Sequence, residues 1–240
     1  MIPLSAEQLV LATLIVTFAA AVQASVGFGL ALIAAPLLLF IDRLLVPGPL
    51  LWSALLLSVL AGHRERHAID KSGFVWGFGG RVLGTIPAVL ALQSLSPRDF
   101  ELYFALLVML GVGISLVHPN LRPTPGSLFA AGTLSGLMGT ISSIGGPPMA
   151  LVYQNSRGPE LRATLSVYFV VGSTISILLL SLGGLFGVRE LLLSLVLSPG
   201  VVLGFWLSRF TLGWMSRAVT RPLILGLSFA SATGLLLRWV

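Results

Sequence analysis

The sequence predicts an all-α polytopic membrane protein of about eight hydrophobic segments arranged in two repeats. Three observations carry that prediction. Charges are scarce and clumped, two uncharged windows are too long for a single crossing, and short motifs recur half a chain apart. Only 9% of the 240 residues are charged and 56% are hydrophobic, and the mean hydropathy is +1.00. A soluble domain carries roughly 25% charged residues. The net charge of +6 would suggest nucleic acid in a soluble protein. Here the cations flank apolar runs, where they set orientation in a lipid bilayer instead. There is no cysteine, which excludes disulfides, thiolate metal sites and a cysteine nucleophile. The opening Met1-Ile2-Pro3-Leu4-Ser5 lacks a basic leader and a small-residue cleavage site, so the first apolar run is expected to stay in the mature chain.

The charge gaps define windows at 8–41, 44–63, 72–97 (interrupted by Arg81), 102–121, 123–156, 163–188, 191–208 and 222–237. A hydrocarbon core ~30 Å thick needs ~20 helical residues. Six windows fit one crossing. Windows 8–41 and 123–156 hold 34 residues each, far more than a crossing requires. Both are interrupted centrally by helix breakers, Gly27-Phe28-Gly29 in the first and Gly145-Gly146-Pro147-Pro148 in the second. The first and fifth segments are therefore expected to be broken or re-entrant, with their irregular backbone buried in protein or lining a wet cavity.

The motifs repeat in order. Ser25-Val26-Gly27 recurs as Ser143-Ile144-Gly145 at an offset of 118, and Gly80-Arg81-Val82-Leu83-Gly84 as Gly200-Val201-Val202-Leu203-Gly204 at an offset of 120. This divides the chain into a first repeat over 1–118, a Pro-rich link over 119–125 and a second repeat over 126–240. Internal symmetry of this kind is common in transporters. If both long windows enter and leave by one face, that face carries Arg64, Arg66, Lys71, Arg122, Arg157, Arg162, Arg209, Arg217 and Arg221. The opposite face carries Arg43, Arg98, Arg189 and Arg238. If all eight windows cross, the bias vanishes. The positive-inside rule favours the first arrangement, which makes the two repeats inverted relative to each other.

Every acidic residue lies at a window boundary, leaving no carboxylate mid-membrane to bind a cation or relay a proton. The charge inside a span is Arg81. An interior guanidinium is expensive and by default faces a cavity and a partner; snorkelling toward the Lys71 end is the alternative. A helix starting inside the membrane aims unpaired N–H groups and its positive dipole end inward, which suits an anion. Gly27, Gly29, Gly145 and Gly146 permit close approach, with Phe28 between the first pair, and Pro147 suits a first helical turn. Ser25, Ser142, Ser143 and Gln23 add side-chain donors. Together with Arg81 these form the candidate substrate site. The pairs Gly80/Gly84, Gly132/Gly136 and Gly200/Gly204 read as close-packing residues instead. His63, Arg64, Arg66, His67 and Lys71 read as a solvated anchor, Trp52, Trp76, Trp206, Trp214 and Trp239 as interfacial aromatics, and His118 has no metal-ligand partner. No hydrolase constellation or phosphate loop is present, so neither an enzyme nor a cofactor or metal requirement is indicated.

These residues resemble a known family. The Ser-Val-Gly-Phe-Gly and Ser-Ile-Gly-Gly-Pro-Pro breaks, Ala163-Thr164-Leu165-Ser166, and Pro199-Gly200-Val201-Val202-Leu203-Gly204 look like the sulfite exporter TauE/SafE family of the toluene sulfonate uptake permease superfamily. The likeness covers roughly residues 8–237. It implies a secondary carrier of a bacterial cytoplasmic membrane for sulfite, thiosulfate or organosulfonates, with the breaks at Gly27, Gly29, Gly145, Gly146 and Pro147 at the site. Gly27-Phe28-Gly29 departs from the family's run of glycines, and Arg81 matches no family motif. The residues by themselves give an anion held mid-membrane, with the lipid bilayer and a small anionic substrate as partners and no nucleic acid. A non-transporting scaffold subunit and a passive anion channel stay open, as does a homodimer.

Overall fold

The computed structural model describes residues 4–71, 73–117, 121–211 and 217–239. Residues 118–120, which include His118 and the start of the Pro-rich link, and Trp214 lie outside the described residues; so does the side chain of Trp239. All described regular structure is helical: α1 (Ala6–Val26), α2 (Leu30–Ile41), α3 (Gly48–Arg64), α4 (Phe74–Ser94), α5 (Pro97–Leu116), α6 (Pro125–Ser142), α7 (Gly146–Val152), α8 (Gly158–Leu182), α9 (Val188–Thr211) and α10 (Arg217–Trp239), with two short 3-10 turns. Six helical stretches are long and apolar enough to cross a membrane, and the apolar parts of α2 and α10 are shorter. The chain is a multi-pass membrane protein.

Charge gaps locate these helices but misplace their starts. Glu7, Asp99, Glu160 and Glu190 all sit in a helix's first turn, where a carboxylate meets the positive dipole end. Ser5, Ser96 and Thr124 accept a backbone N–H bond at the starts of α1, α5 and α6, satisfying an otherwise unpaired donor. Several helices therefore begin one turn before their uncharged window.

Both 34-residue windows are broken at their glycines. α1 ends on Gly27, α2 starts after Gly29, and both glycines have positive φ (101° and 126°) that a side chain would strain. α6 ends on Ser143, itself left-handed at φ 62°, and α7 starts after Gly145. The second break folds back on itself. The Gly145 carbonyl accepts a 2.5 Å bond from Ser135 Oγ, two turns before the end of α6. Below it Met149 and Val152 of α7, with Tyr153 just after it, pack with Leu128 and Ala131 near the start of α6.

Helix directions follow from the glycines. Gly80 lies against Phe129 and Thr133, and Gly84 against Thr133 and Leu137, so α4 and α6 run parallel at backbone contact. Gly200 and Gly204 meet Thr13, Thr17, Ala20 and Ala21 in the same sense, so α1 and α9 are parallel too. Missing Cβ atoms let these helices approach closely enough for dispersion to hold them in lipid. The segment after α2, residues 43–48, borders Arg189 and Glu190 at the start of α9. Because α9 parallels α1, the α1–α2 segment also ends where it began.

Of the tryptophans expected at the membrane interface, Trp76 and Trp206 are about half exposed (50% and 48%) on the bundle surface. Trp52 differs, since its indole N–H donates to Ser198 Oγ and ties α3 to α9. Arg64 differs as well. It donates to the Ala24 carbonyl at the end of α1 and to Ser208 Oγ, with its guanidinium 5.0 Å from the Phe205 ring. A cation at a helix C-terminus is favourable, and the unpaired carbonyls there outcompete the lipid surface for it. Beside it Arg162 bonds both Glu65 oxygens (2.9 and 3.0 Å) and packs on Gly27.

Because a Cβ at Gly84 would run into the Thr133 backbone whereas one at Gly113 meets nothing within 4 Å, the two glycines should differ in tolerance. Gly84→Val is expected to lose at least the ~1–3 kcal/mol typical of overpacking. Gly113→Ala is expected to be neutral or stabilising. Thermal unfolding of the detergent-purified variants measures both.

Candidate functional site

The two breaks meet at a small cavity inside the bundle. Its wall is built from Gln23, Phe28, Gly29 and the first turn of α2 on one side, and Ser143, Ile144, Gly145, Gly146 and Pro147 on the other. Leu51 and Ala54 of α3, Arg81 of α4, and Phe169 and Ser173 of α8 close it. The space open to water is about 30 Å³, enough for a few water-sized groups. None of these wall residues is acidic.

The Gln23 side chain shapes the first break. Its Oε1 accepts the Leu30 N–H at 2.9 Å, capping α2 in place of the missing Ser, Thr, Asp or Asn. This leaves the Ala31 and Leu32 amides at the cavity wall without intrahelical partners. On the other side Pro147 and Pro148 occupy the first turn of α7, where no N–H is needed.

Arg81 is 2% exposed. It does not snorkel, because four acceptors inside the bundle hold it. One terminal nitrogen donates to the Ser135 carbonyl (2.6 Å) and Oγ (2.9 Å), the other to the Gly172 carbonyl (3.3 Å) and Ser176 Oγ (3.1 Å). A Cβ at Gly139 or Gly145 would come within 2.6 Å of the guanidinium and one at Gly172 within 2.8 Å of Nε, so only glycine makes room for it. The Arg81 Nε–H is buried with no hydrogen-bond partner. Ser176 continues to Thr140 Oγ1 at 2.9 Å, so a chain of buried hydroxyls links α4, α6 and α8. Among the described residues no carboxylate pairs with Arg81. The guanidinium lies directly behind Gly145.

The expected site residues divide. Gln23, Phe28, Gly29, Arg81, Ser143, Gly145, Gly146 and Pro147 border the cavity; Ser25, Gly27 and Ser142 do not. Ser25 Oγ donates to the Ala21 carbonyl and Ser142 Oγ to the Met138 carbonyl, the local back-bonding that helical serines favour. Gly27 lies against Arg162. Ser143 borders the cavity while donating its hydroxyl to the Pro47 carbonyl at 3.1 Å. Sequence reasoning missed Ser135, Phe169, Gly172, Ser173 and Ser176. Two clusters, Gly132-x-x-Ser135-Gly136 and Gly172-Ser173-x-x-Ser176, held the available signal: small and polar residues at one-turn spacing, which point at one neighbour.

A second, wider space of about 250 Å³ adjoins the first, sharing Phe28 and Pro147 with it. It is lined by Val26, Ile114, Ala150, Leu161 and Pro222 among others. Gln154, Ile114 and Leu161 place its mouth at the bundle end where α5 and α7 finish and α8 begins.

A comparison with protein families finds one match along nearly the whole chain: the model described as sulfite exporter TauE/SafE, over residues 12–235. The chain belongs to the TauE/SafE family. No curated protein and no solved structure matches it. TauE/SafE membership agrees with the resemblance carried by the two glycine breaks, and those breaks are the elements that form the cavity. Among the described residues no cluster of His, Asp or Glu is placed to hold a metal.

Ser135 both receives Arg81 and holds the Gly145 carbonyl. Ser135→Ala removes these hydroxyl bonds at a buried site and is expected to destabilise by about 1–3 kcal/mol, read as a lowered unfolding temperature in detergent.

Proposed function

We propose that the chain is a secondary carrier of small sulfur-containing anions in a bacterial cytoplasmic membrane. The observation that carries this reading is the buried, carboxylate-free Arg81 behind a cavity formed by two helix breaks. Sulfite, thiosulfate and organosulfonates offer several acceptor oxygens, which match the amides of Ala31 and Leu32, the Arg81 charge and the Gln23 amide. The Ser173 hydroxyl adds a donor at the wall.

The same reading makes the halves inverted repeats. Helix pairing supports it: α4 lies along α6 and α1 along α9, each through a pair of glycines four residues apart. α3 packs on α8 and α5 on α10, each helix against its own counterpart. On this account α1–α2 and α6–α7 are hairpins entered from opposite faces, α1 itself being long enough to span, and α3, α4, α5, α8 and α9 cross together with the shorter α10. The face with nine cations in the sequence is then cytoplasmic. The wide vestibule opens on that face, and Phe28 with Pro147 stands between it and the cavity. Substrate enters from the cytoplasm, and rocking of the halves about the cavity exposes it to the other side.

Sealed vesicles containing the protein should take up radiolabelled sulfite or a sulfonate saturably. Gly146→Leu should abolish uptake while the protein still elutes as a folded species, since a side chain there projects between Phe28 and Phe169 (3.6 and 3.4 Å from a Cβ). Ohmic, unsaturable flux would assign a channel instead. No flux across a panel of sulfur anions would assign a scaffold.

A further inference from the structure

Resting on the anion reading above, we infer that Arg81 restricts the site to anions of a single negative charge. The wall has one formal charge, and it is positive; Gln23, Ser143 and Ser173 supply the polar side chains and the rest is apolar or backbone. Arg81 reaches its acceptors on α6 and α8 through neutral carbonyls and hydroxyls, so nothing in the protein neutralises it. A monoanion at Gly145 brings the cavity to zero net charge. A dianion leaves one uncompensated negative charge in a cavity whose other walls are neutral and which has room for only a few water-sized groups. In a low-dielectric interior an unpaired charge is strongly disfavoured, so the second negative charge costs far more than extra hydrogen bonds return.

The inference separates chemically similar solutes. Bisulfite and alkylsulfonates carry one charge, whereas sulfite, sulfate and thiosulfate carry two, so of the anions proposed above the restriction keeps bisulfite and the alkylsulfonates and removes thiosulfate. For sulfite the bound form is therefore the protonated one, and Arg81 is a specificity-determining residue acting through its field. The titratable side chain packed on Arg81 among the described residues is Tyr168 of α8, whose ring centroid lies 6.0 Å from the guanidinium carbon. A phenol ordinarily ionises near pH 10, and no carboxylate, imidazole or lysine lines the wall. The cavity wall and the ring packed on Arg81 thus hold no carboxylate, imidazole or lysine, and a pH dependence of binding belongs to the ligand.

The test is a thermal-shift series on the detergent-purified full chain with methanesulfonate, sulfate and sulfite between pH 6 and 8.5. Methanesulfonate, a monoanion throughout, should stabilise the protein equally at every pH, because only a ligand of the folded state raises its stability. Sulfate, a dianion throughout, should give no shift at the same concentrations. Apparent sulfite affinity should fall about tenfold per pH unit once the dianion predominates. Sulfate binding as tightly as methanesulfonate, or sulfite affinity flat with pH, overturns the charge restriction while leaving the anion site standing. No shift with any of the three overturns the anion site and this inference together. Arg81→Gln is expected to lose the methanesulfonate shift and Arg81→Lys to retain part of it. Equal retention by both would remove Arg81 from the selection.

Discussion

One buried guanidinium organises the interior. Arg81 sits where burial of a charge is costly, and the protein answers with carbonyls and hydroxyls on two other helices rather than with a carboxylate. That choice has structural and functional consequences. Glycines at 139, 145 and 172 make room for the side chain, so α4, α6, α7 and α8 come together around it. On the proposed reading the positive charge also stands beside the cavity, available to a ligand.

The helix breaks complete the arrangement by placing polar backbone where hydrocarbon would otherwise forbid it. Gly27 and Gly29 turn the chain in left-handed conformations, and the Gln23 amide caps the new helix from within α1. On the other side Ser135 holds the Gly145 carbonyl while Arg81 holds Ser135. The two breaks are alike in plan but tied differently. The first is fastened at its tip by Arg64, Arg162 and Glu65, and the second is fastened at its root by Arg81. Ser143, at the tip of the second break, is tied by a neutral bond to the Pro47 carbonyl.

Much of this was legible in the residues. Clumped charges mark membrane spans because a bilayer excludes them, and a 34-residue window interrupted by Gly-Phe-Gly or Gly-Gly-Pro-Pro has few ways to fold. The glycine pairs at 80/84 and 200/204 announced close packing and delivered it. What stayed hidden depended on distance in sequence. Nothing local links Arg81 to Ser135 or Ser176, separated by 54 and 95 residues. Nothing local tells Ser25 and Ser142, which bond their own helices, from Ser173, which borders the cavity. Arg64 was misjudged for the same reason: its partners include Ala24 and Ser208, and only the folded chain brings their acceptor oxygens to it.

The central claim, that an uncompensated positive charge governs the cavity, can be tested without knowing the substrate. The chain has no cysteine, so Ser173→Cys places a single thiol at the cavity wall. Its modification by anionic and cationic methanethiosulfonate reagents, each normalised to its rate with a free thiol, reads the local potential. Field focusing in a cleft of one sign predicts at least a tenfold preference for the anionic reagent, largely lost when Arg81→Gln is added. An equal rate for both reagents, or a preference for the cation, would contradict the account.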